Sequence, residues 1–554
     1  MLLKQTLALL AIGLAPLSVS AAHFAVTGAP VDAGADVPMR LNINDFQAKG
    51  GPQWYAQTLA TMELYLRALK SLQDKDARDP LSYFQVAGIH GLPYIEWNKG
   101  GAKKATGWAG YCPHGENIFL TWHRPFVLLY EQVVVAEAKA IANQYPEKYR
   151  AQYVAAAKTL RVPYWDWSAD PNVPPATIPS TVTVNVPNGQ SIKKTTINNP
   201  LQTYNYPKAA LNGDFGRFPR NAKTIRCPAP QSYPASANQG LKGLGLKQST
   251  YDAFTYSTNF NEFAVTRQDG LGLEQMHNSI HWDAGCGGQF LDASIAGFEP
   301  LFMLHHTQVD RLWTYWQFIN PAQSIFTTSY KGQSRFSTPQ NTLITPDSPL
   351  QPFYDSSDKY WTSKKTASIK GMGYTYQSLE YWKKSAAQLK TDATKLMNTL
   401  YAPKSSGKRD VAPTKTRYFA RVELNRTQVE RPCSVNVFIS GKQAGSVVVM
   451  QLPEQGILRG SVAVDDKMAE AFGKTADSDG SMGSVEHLVE MEIRKPDGTI
   501  IPLNTVPSLN LTLEQVAVTP PKSNTEFPKP GKKKNHRAGL RDRHRRKKHN
   551  DDDD

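Results

Sequence analysis

The histidines of this sequence are distributed in a way that few folds could accommodate. Seven of the twelve form two clusters separated by more than 150 residues, and no other histidine lies between His23 and His487. The first cluster has three members and the second has four: His90, His114 and His123, then His277, His281, His305 and His306. Because imidazole is the commonest metal ligand, a fold that joins both clusters could bind two metal ions through three histidines each, with one histidine to spare.

The amino terminus has the pattern of a secretory signal. Lys4 precedes an apolar run that ends at Leu17, and small residues follow, so residues 1–21 are predicted to be a signal peptide cleaved after Ser20 or Ala21. The apolar run is too short to span a bilayer, and no later segment has about 18 consecutive apolar residues. We therefore expect a secreted, extracellular protein with no membrane partner.

Residues 22–400 contain both histidine clusters and are predicted to be the catalytic domain. Segments with apolar residues at helical spacing occur at 54–72, 126–143 and 379–401. This pattern predicts a mainly α-helical domain in which a helical bundle holds the metal site. The stretch between about 170 and 250 is rich in Pro, Asn, Thr and Ser and is expected to be irregular.

The composition and polarity pattern of the sequence change after this region. Residues 401–416 are polar and contain Pro and Gly, as is typical of a linker. The pair Lys408-Arg409 within it is a possible cleavage site for a processing protease, although an exposed charged loop would have the same composition. From 417 to 518, short β-branched segments alternate in polarity between Gly, Pro and Asn, which predicts a β-sandwich-like C-terminal domain.

The end of the chain is strongly basic. Between Lys522 and Asn550 there are twelve Lys and Arg against two acidic residues, so ten of the net charge of +15 lies in this segment. Residues 519–554 have few apolar side chains and are predicted to form a disordered basic tail. A polyanion could bind such a tail, but a solvated extension is the preferred interpretation, and we expect no specific nucleic-acid partner.

The second histidine cluster has the spacing of a metal site on helices. His277 and His281 are four residues apart, so on a helix both rings project from one face. Asp310 follows His306 by four residues and is predicted to accept a hydrogen bond from the second nitrogen of a ligand histidine.

Ligation by imidazole alone suits copper, zinc, iron or nickel, and the lack of neighbouring carboxylates argues against an iron facial triad. We favour two copper ions that act on dioxygen, because two zinc ions would more commonly share a bridging carboxylate.

Three motifs make the chain resemble secreted fungal tyrosinases, which are type 3 copper proteins: YCPHGENIFLTWHRPFVLLYEQ, HNSIHW and LHHTQVDRLW. The resemblance covers nearly the whole sequence. It implies three ligands for each copper ion and leaves His305 as a structural residue: His90, His114 and His123 for the first, and His277, His281 and His306 for the second.

The same resemblance implies further features around the ligands. Cys112 occupies the position from which fungal members form a thioether bond to the histidine two residues later, here His114. The family usually has Phe-Asp-Pro before the last ligand helix, whereas Glu299 stands here in place of the aspartate. We expect a small geometric change and no loss of copper. Tyr374-Thr375-Tyr376 and Arg40 resemble a tyrosine motif and an arginine that pack together in the family. Cysteine pairing cannot be read from the sequence, and a Cys227–Cys286 disulfide is our working expectation.

The resemblance also implies the reaction. Tyrosinases hydroxylate monophenols at the ortho position and oxidise o-diphenols to o-quinones with dioxygen, a route to melanin-type pigments. A phenol has a pKa of about 10 and binds a metal after losing its proton, so a positioned base helps. By resemblance, Glu274 and Asn278 hold the water that takes this proton. The expected partners are therefore dioxygen, phenolic small molecules and a processing protease.

Alternative functions remain open at this stage. A catechol oxidase would lack the monophenol reaction, and a haemocyanin-like oxygen carrier would share the six-histidine plan without turnover. A single dicopper unit followed by a possible cleavage site at Lys408-Arg409 favours a latent proenzyme, in which the C-terminal domain shields the active site until proteolysis.

Overall fold

A computed structural model describes residues 23–47, 52–219, 221–267, 270–403, 415–472 and 488–543. The predicted signal peptide and the predicted cleavage site Lys408-Arg409 lie outside these residues. As predicted, a mainly α-helical domain precedes a β-rich one. The α-helices are α1 Ile43–Gln47, α2 Pro52–Asp74, α3 Tyr83–Gly88, α4 Phe119–Asn143, α5 Glu147–Thr159, α6 Lys208–Leu211, α7 Ala235–Gly243, α8 Leu246–Tyr256, α9 Phe260–Ala264, α10 Leu273–Gly285, α11 Leu301–Ile319, α12 Ala386–Tyr401 and α13 Asp465–Phe472.

The strands form five antiparallel sheets, three of which are two-stranded. They are β1 Thr181–Asn188, β2 Ser191–Asn198, β3 Tyr330–Lys331, β4 Leu343–Ile344, β5 Pro349–Tyr354, β6 Tyr360–Thr362, β7 Lys415–Asn425, β8 Cys433–Ile439, β9 Lys442–Val449, β10 Ile457–Ala463, β11 Val489–Arg494, β12 Ile500–Ile501, β13 Asn510–Thr519 and β14 Lys529–Arg537.

The helical domain is built around α4, which packs against α2, α5 and α11, while α10 packs against α11. Most residues of α4 and α11 are buried, so these helices lie inside the domain rather than on its surface. The sequence predicted the start of α4 at residue 126, but the helix begins at Phe119 and includes His123. Pro125 therefore lies within the helix, where its ring costs one backbone hydrogen bond.

Residues 181–198 are not irregular as predicted. They form a hairpin in which β1 pairs with β2 in register from Thr181↔Asn198 to Asn188↔Ser191. Gly189 in the turn has φ of +58°, a conformation that glycine adopts without strain. The Asn-Gly turn between alternating segments was a hairpin signal, and the overall composition of the stretch obscured it.

The C-terminal domain, residues 415–543, is a β-sandwich as predicted. Two four-stranded sheets have the orders β10-β7-β13-β14 and β12-β11-β8-β9. Apolar side chains from both sheets share one buried core, to which Leu424 and Leu511 contribute from the first sheet and Val437 and Met491 from the second. Each sheet therefore buries one face against the other.

The prediction of a disordered tail from residue 519 is wrong for the residues described. Lys529–Arg537 form β14, which pairs antiparallel with β13 at the edge of the first sheet. Backbone pairing does not require apolar side chains, and lysine is common on edge strands because it discourages pairing with other molecules. The composition of this segment therefore did not reveal its structure.

Two further features agree with the sequence. The Arg40 guanidinium stacks on the Tyr374 ring at 3.5 Å and donates to the Tyr376 hydroxyl at 3.0 Å, so the predicted packing of these residues is confirmed. Among the residues that the model describes, no helix combines the length and apolar character needed to cross a membrane.

Candidate metal centre

Three helices and two loops of the helical domain bring the seven clustered histidines together. His123 lies on α4, His90 directly follows α3, and His114 lies in the loop before α4. His277 and His281 project from one face of α10, and His305 and His306 lie in the second turn of α11. All seven side chains are buried.

The first triad is compact. Ring centroids are 5.3 Å apart for His90 and His114, and 5.8 Å apart for each of these with His123. His90 Nε2 and His123 Nε2 have no hydrogen-bond partner among the described residues although both atoms are buried. Buried polar atoms are nearly always paired, so these two nitrogens fit metal ligands.

The second triad adjoins the first. His277 Nε2 lies 3.0 Å from His281 Nε2 and 3.2 Å from His306 Nε2, so the three nitrogens face one point. The His123 and His306 rings stack at 4.4 Å across the boundary between the triads. The arrangement therefore fits two neighbouring metal ions, each with three imidazole ligands.

The second nitrogens of three of the six triad histidines lie against backbone carbonyls. His90 Nδ1 lies 3.1 Å from Ala293 O, His123 Nδ1 lies 2.7 Å from Phe119 O, and His281 Nδ1 lies 2.6 Å from Phe290 O. A ring that donates from Nδ1 keeps the Nε2 lone pair for a metal. Sequence reasoning missed these partners because a backbone carbonyl has no residue-type signature.

Asp310 does not have the predicted role. Instead of accepting a hydrogen bond from a histidine, its carboxylate accepts from Arg124 Nε at 2.6 Å and Arg40 Nη1 at 3.0 Å. The Tyr374 and Tyr376 hydroxyls donate to it at 2.8 and 2.7 Å. The spacing of four residues from His306 was correct for a shared helix face, but these four long-range partners occupy the carboxylate.

His305 differs from the six other histidines in its hydrogen bonding. Trp167 Nε1 donates to His305 Nδ1 at 3.0 Å. The buried Nε2 of His305 also has no hydrogen-bond partner among the described residues. In a neutral imidazole an accepting Nδ1 leaves the proton on Nε2, so this nitrogen carries a proton in this state and has no lone pair for a metal. This agrees with its prediction as a structural residue, even though its ring lies close to His277 and His281.

The electrostatics of the centre favour neutral imidazoles. Burial lowers the pKa of every histidine in the two triads, to about 3 for His123 and about 4 for His281. These rings therefore stay unprotonated at neutral pH and can act as ligands.

Cys112 lies beside the ligand with which it is predicted to be linked. Its Sγ is 3.5 Å from His114 Nδ1, and both side chains are buried. Cys112 forms no disulfide, and burial raises the pKa of its thiol. The side chain is thus positioned for a covalent link to the imidazole.

Glu274 is buried in the first turn of α10. Its carboxylate accepts hydrogen bonds from the Gly115 amide and from both the amide and the hydroxyl of Thr266. Burial raises the pKa of Glu274, while these bonds and the charge of Arg426 oppose the increase. Asn278 Oδ1 lies 2.9 Å from His277 Nδ1, so Asn278 orients a histidine of the second triad.

Glu299, where the sequence departs from the family pattern, joins the ends of two ligand helices. Its carboxylate accepts from Arg226 Nε at 2.6 Å and from the Leu301 amide at 2.9 Å, at the start of α11. Cys227, which follows Arg226 in the sequence, forms a disulfide with Cys286 at the end of α10. This confirms the expected pairing. The longer side chain of glutamate reaches both partners, so the departure has a structural explanation.

The C-terminal domain covers the His114 side of the centre. The Pro453 ring packs on Gly115, where an added Cβ would lie 2.8 Å from Pro453 Cγ. Arg426 Nη2 donates to the Thr266 hydroxyl at 3.2 Å, next to Glu274. Val448 and Met450 pack with Leu291 and Trp282 of the helical domain. Arg426 and Pro453 have no signal in the sequence, because their role depends on how the two domains pack together.

Comparisons with known proteins agree with this geometry. Residues 80–319 match the family model described as the common central domain of tyrosinase. A tyrosinase of Podospora anserina is 34% identical over 405 residues, which are 68% of this chain and 69% of the relative. A tyrosinase of Neurospora crassa is 32% identical over 494 residues, with 81% and 69% covered.

Two solved structures share the fold over nearly all of the chain. The structure of recombinant mushroom tyrosinase has a TM-score of 0.79 at 23% identity and covers 94% of this chain and 99% of its own. An Aspergillus oryzae pro-tyrosinase mutant has a TM-score of 0.72 at 20% identity, with 95% and 99% covered.

Proposed function

The chain belongs to the tyrosinase family, and on that premise we propose that it hydroxylates monophenols and oxidises o-diphenols to o-quinones with dioxygen. Copper-dependent oxidation of phenols is the chemistry of the family, and the residues present suit its two copper ions. The observation that carries the proposal is the pair of adjoining histidine triads, buried and neutral. The Nε2 atoms of the second triad converge, and the Nε2 atoms of His90 and His123 have no hydrogen-bond partner among the described residues. The first copper would be held by His90, His114 and His123, and the second by His277, His281 and His306.

The bound copper ions supply the activation of dioxygen and the two-electron oxidation of the phenol. The protein excludes water around the ligands and fixes their orientation through Ala293, Phe119 and Phe290 carbonyls. A thioether between Cys112 and His114 would fix one ligand further, and the contact of 3.5 Å supports this proposal.

The monophenol reaction needs a proton acceptor close to the second triad. We assign this role to a water held by Glu274 and Asn278. The support is their place on α10, beside His277, and the burial that raises the pKa of Glu274 and so makes it a better base. Among the described residues, the Glu274 carboxylate accepts its hydrogen bonds from Gly115 and Thr266, so it would have to exchange one of these bonds for this water.

A catechol oxidase is the second candidate, because oxidation of an o-diphenol does not require this base. A reversible oxygen carrier is the third. Neither has a specific observation in its favour, whereas the buried Glu274 near His277 favours a site with a general base for the monophenol reaction.

The proenzyme proposal rests on the C-terminal domain. Pro453 and the segment around Met450 lie across the approach to His114 and to Trp282, so a phenol would reach the centre only after this domain moves. The proposed cut is at Lys408-Arg409, made by a processing protease, and it separates the two domains covalently. The proposed location of the protein is extracellular.

Oxygen uptake by the copper-loaded protein tests the function. The protein freed of its C-terminal domain should consume oxygen with tyramine, primed by a trace of o-diphenol, beyond a control that contains the diphenol alone. Consumption of the diphenol only would identify a catechol oxidase, and reversible oxygen binding without consumption would identify a carrier. Equal activity of the intact and the freed protein would contradict the latency proposal.

A further inference from the structure

In the described residues, the C-terminal domain contacts the helical domain through side chains and backbone groups that follow the proposed cleavage site in sequence. We infer that a cut in the linker does not release the C-terminal domain, which stays bound as a separate chain and keeps the metal centre covered until a second event dissociates it. This inference deepens the proposed function, and its activity arm rests on that function.

The strongest polar contact between the domains is a buried ion pair. Arg417, on β7, donates to Asp252, on α8, through two parallel bonds of 2.7 and 2.8 Å. Asp252 is fully buried, and Arg417 also pairs with Asp465 at 2.9 Å. Bidentate guanidinium–carboxylate pairs fix geometry as well as charge, and breaking one partner leaves a buried charge uncompensated.

Backbone groups of the C-terminal domain are paired with the helical domain as well. Gln275 Nε2 donates to Ser461 O at 2.8 Å, and the Ser461 amide donates back to Gln275 Oε1 at 2.8 Å. The Arg459 amide donates to Thr266 O at 2.8 Å. Backbone groups of the edge strand β10 are therefore hydrogen-bonded to the segment that carries Glu274. Separation of the domains would leave Ser461 and Arg459 to hydrogen-bond with water instead.

Apolar packing across the interface is continuous with the core of the helical domain. Phe419, Val516 and Val518 belong to the same buried cluster as the residues around the histidines. The Phe419 ring lies 5.2 Å from the Tyr256 ring. These contacts extend the apolar core of the helical domain into the C-terminal domain.

The linker contributes to binding only by raising the local concentration of one domain near the other. A short flexible connection gives an effective concentration in the millimolar range. A cut removes this contribution and leaves the ion pair, the backbone bonds and the apolar contacts intact. The two pieces should therefore remain together at micromolar concentrations.

The experiment uses the copper-loaded full chain, cut at its single Lys-Arg pair by a dibasic-specific protease. The cut protein is passed over a size-exclusion column at about 1 μM, where a dissociation constant well below this value keeps the pieces together. The wild-type pieces should elute together, and their activity on a small o-diphenol should stay within about twofold of the uncut chain.

Two variants remove the ion pair from opposite sides: Asp252→Asn and Arg417→Gln. Uncut, both should remain latent because the linker holds the domain in place. Once cut, their pieces should separate on the column. The activity should then rise at least tenfold above that of the uncut chain, because each variant leaves one buried charge without its partner and so weakens the binding of the two pieces. The matched control is Asp347→Asn, which removes an exposed ion pair with Lys364 and should behave as wild type.

Separate elution of the wild-type pieces immediately after the cut would overturn the inference. So would cut variants that stay together as firmly as wild type, because the ion pair would then not be the contact that retains the domain. If separated pieces show no phenol oxidation at all, the proposed function fails, while the elution result still decides whether the domain is retained.

Discussion

Asp310 is a buried carboxylate shared by two buried arginines near the metal centre. It lies on α11 one turn beyond His306 and accepts hydrogen bonds from Arg124, Arg40, Tyr374 and Tyr376. These partners come from distant parts of the chain, so one carboxylate ties the amino-terminal segment and the tyrosine motif to two ligand helices. Its function is therefore to hold the helices that carry the ligands, without contact to the ligands themselves.

Replacing Asp310→Asn should lower the free energy of unfolding by about 3 kcal/mol, because two buried arginines lose a shared counter-charge. Burial alone would raise the pKa of Asp310, but Arg124 and Arg40 outweigh it and hold this pKa below its ordinary value of 3.8. The charged form therefore adds stability above pH 3.8, and that stability is lost as the pH falls through the pKa of the folded state.

Urea unfolding at pH 7 and near pH 3 checks this prediction. The gap between wild type and variant should be wide at neutral pH and narrower in acid. A gap that is the same at both pH values would show that the carboxylate charge does not stabilise the fold.

At the scale of elements, the end of α10 is joined to the start of α11 by two neighbouring links. The Arg226–Glu299 pair and the Cys227–Cys286 disulfide arise from adjacent residues, and together they connect the end of α10 to the start of α11. Since α10 and α11 carry the three histidines of the second triad, this junction constrains the position of His306 relative to His277 and His281.

The variant Glu299→Asp should weaken retention of the second copper ion about tenfold, as is typical when a group that supports metal ligands is altered. The shorter side chain cannot reach both Arg226 Nε and the Leu301 amide. Competition with a copper chelator measures the effect, and the control is Glu380→Asp at a partly exposed pair with Lys384. Unchanged chelation kinetics in Glu299→Asp would show that the pair does not support the site.

Removing the disulfide by Cys227→Ser and Cys286→Ser should destabilise the protein by about 4 kcal/mol if the cross-link acts on the unfolded chain. Its two cysteines are 59 residues apart in sequence. Thermal unfolding with and without a reductant measures the effect. A midpoint that does not respond to reductant in wild type would contradict it.

The helices and ligands were predictable to different degrees from sequence. The four-residue spacing of His277 and His281 was sufficient to predict a shared helix face, and the strands of the β-sandwich followed from their alternation. The start of α4 was misplaced because Pro125 favoured a boundary that the buried helix overrides. Arg226, Arg426 and Pro453 could not be found, since each acts on a residue that only the tertiary fold brings close.

At the scale of the whole molecule, the helical domain buries the metal centre and the C-terminal domain covers it. The six histidines stay neutral and dry because the helical domain excludes water, and the C-terminal domain closes the remaining approach next to His114. A reactive metal site that is sealed in this way has to be opened before it can act on a phenol. Copper binding by the six histidines and release of the C-terminal domain are therefore the two properties on which activity depends.

The copper content of the purified, copper-loaded chain and of two single variants tests the ligand assignment most directly. Wild type should hold two copper ions per chain, as two three-histidine sites require. The variant His305→Gln should also hold two, because glutamine can still accept from Trp167 and the proposed ligand set does not include His305. The variant His306→Gln should hold one. Equal losses in the two variants, or a wild-type content of a single ion, would contradict the account of two adjoining triads.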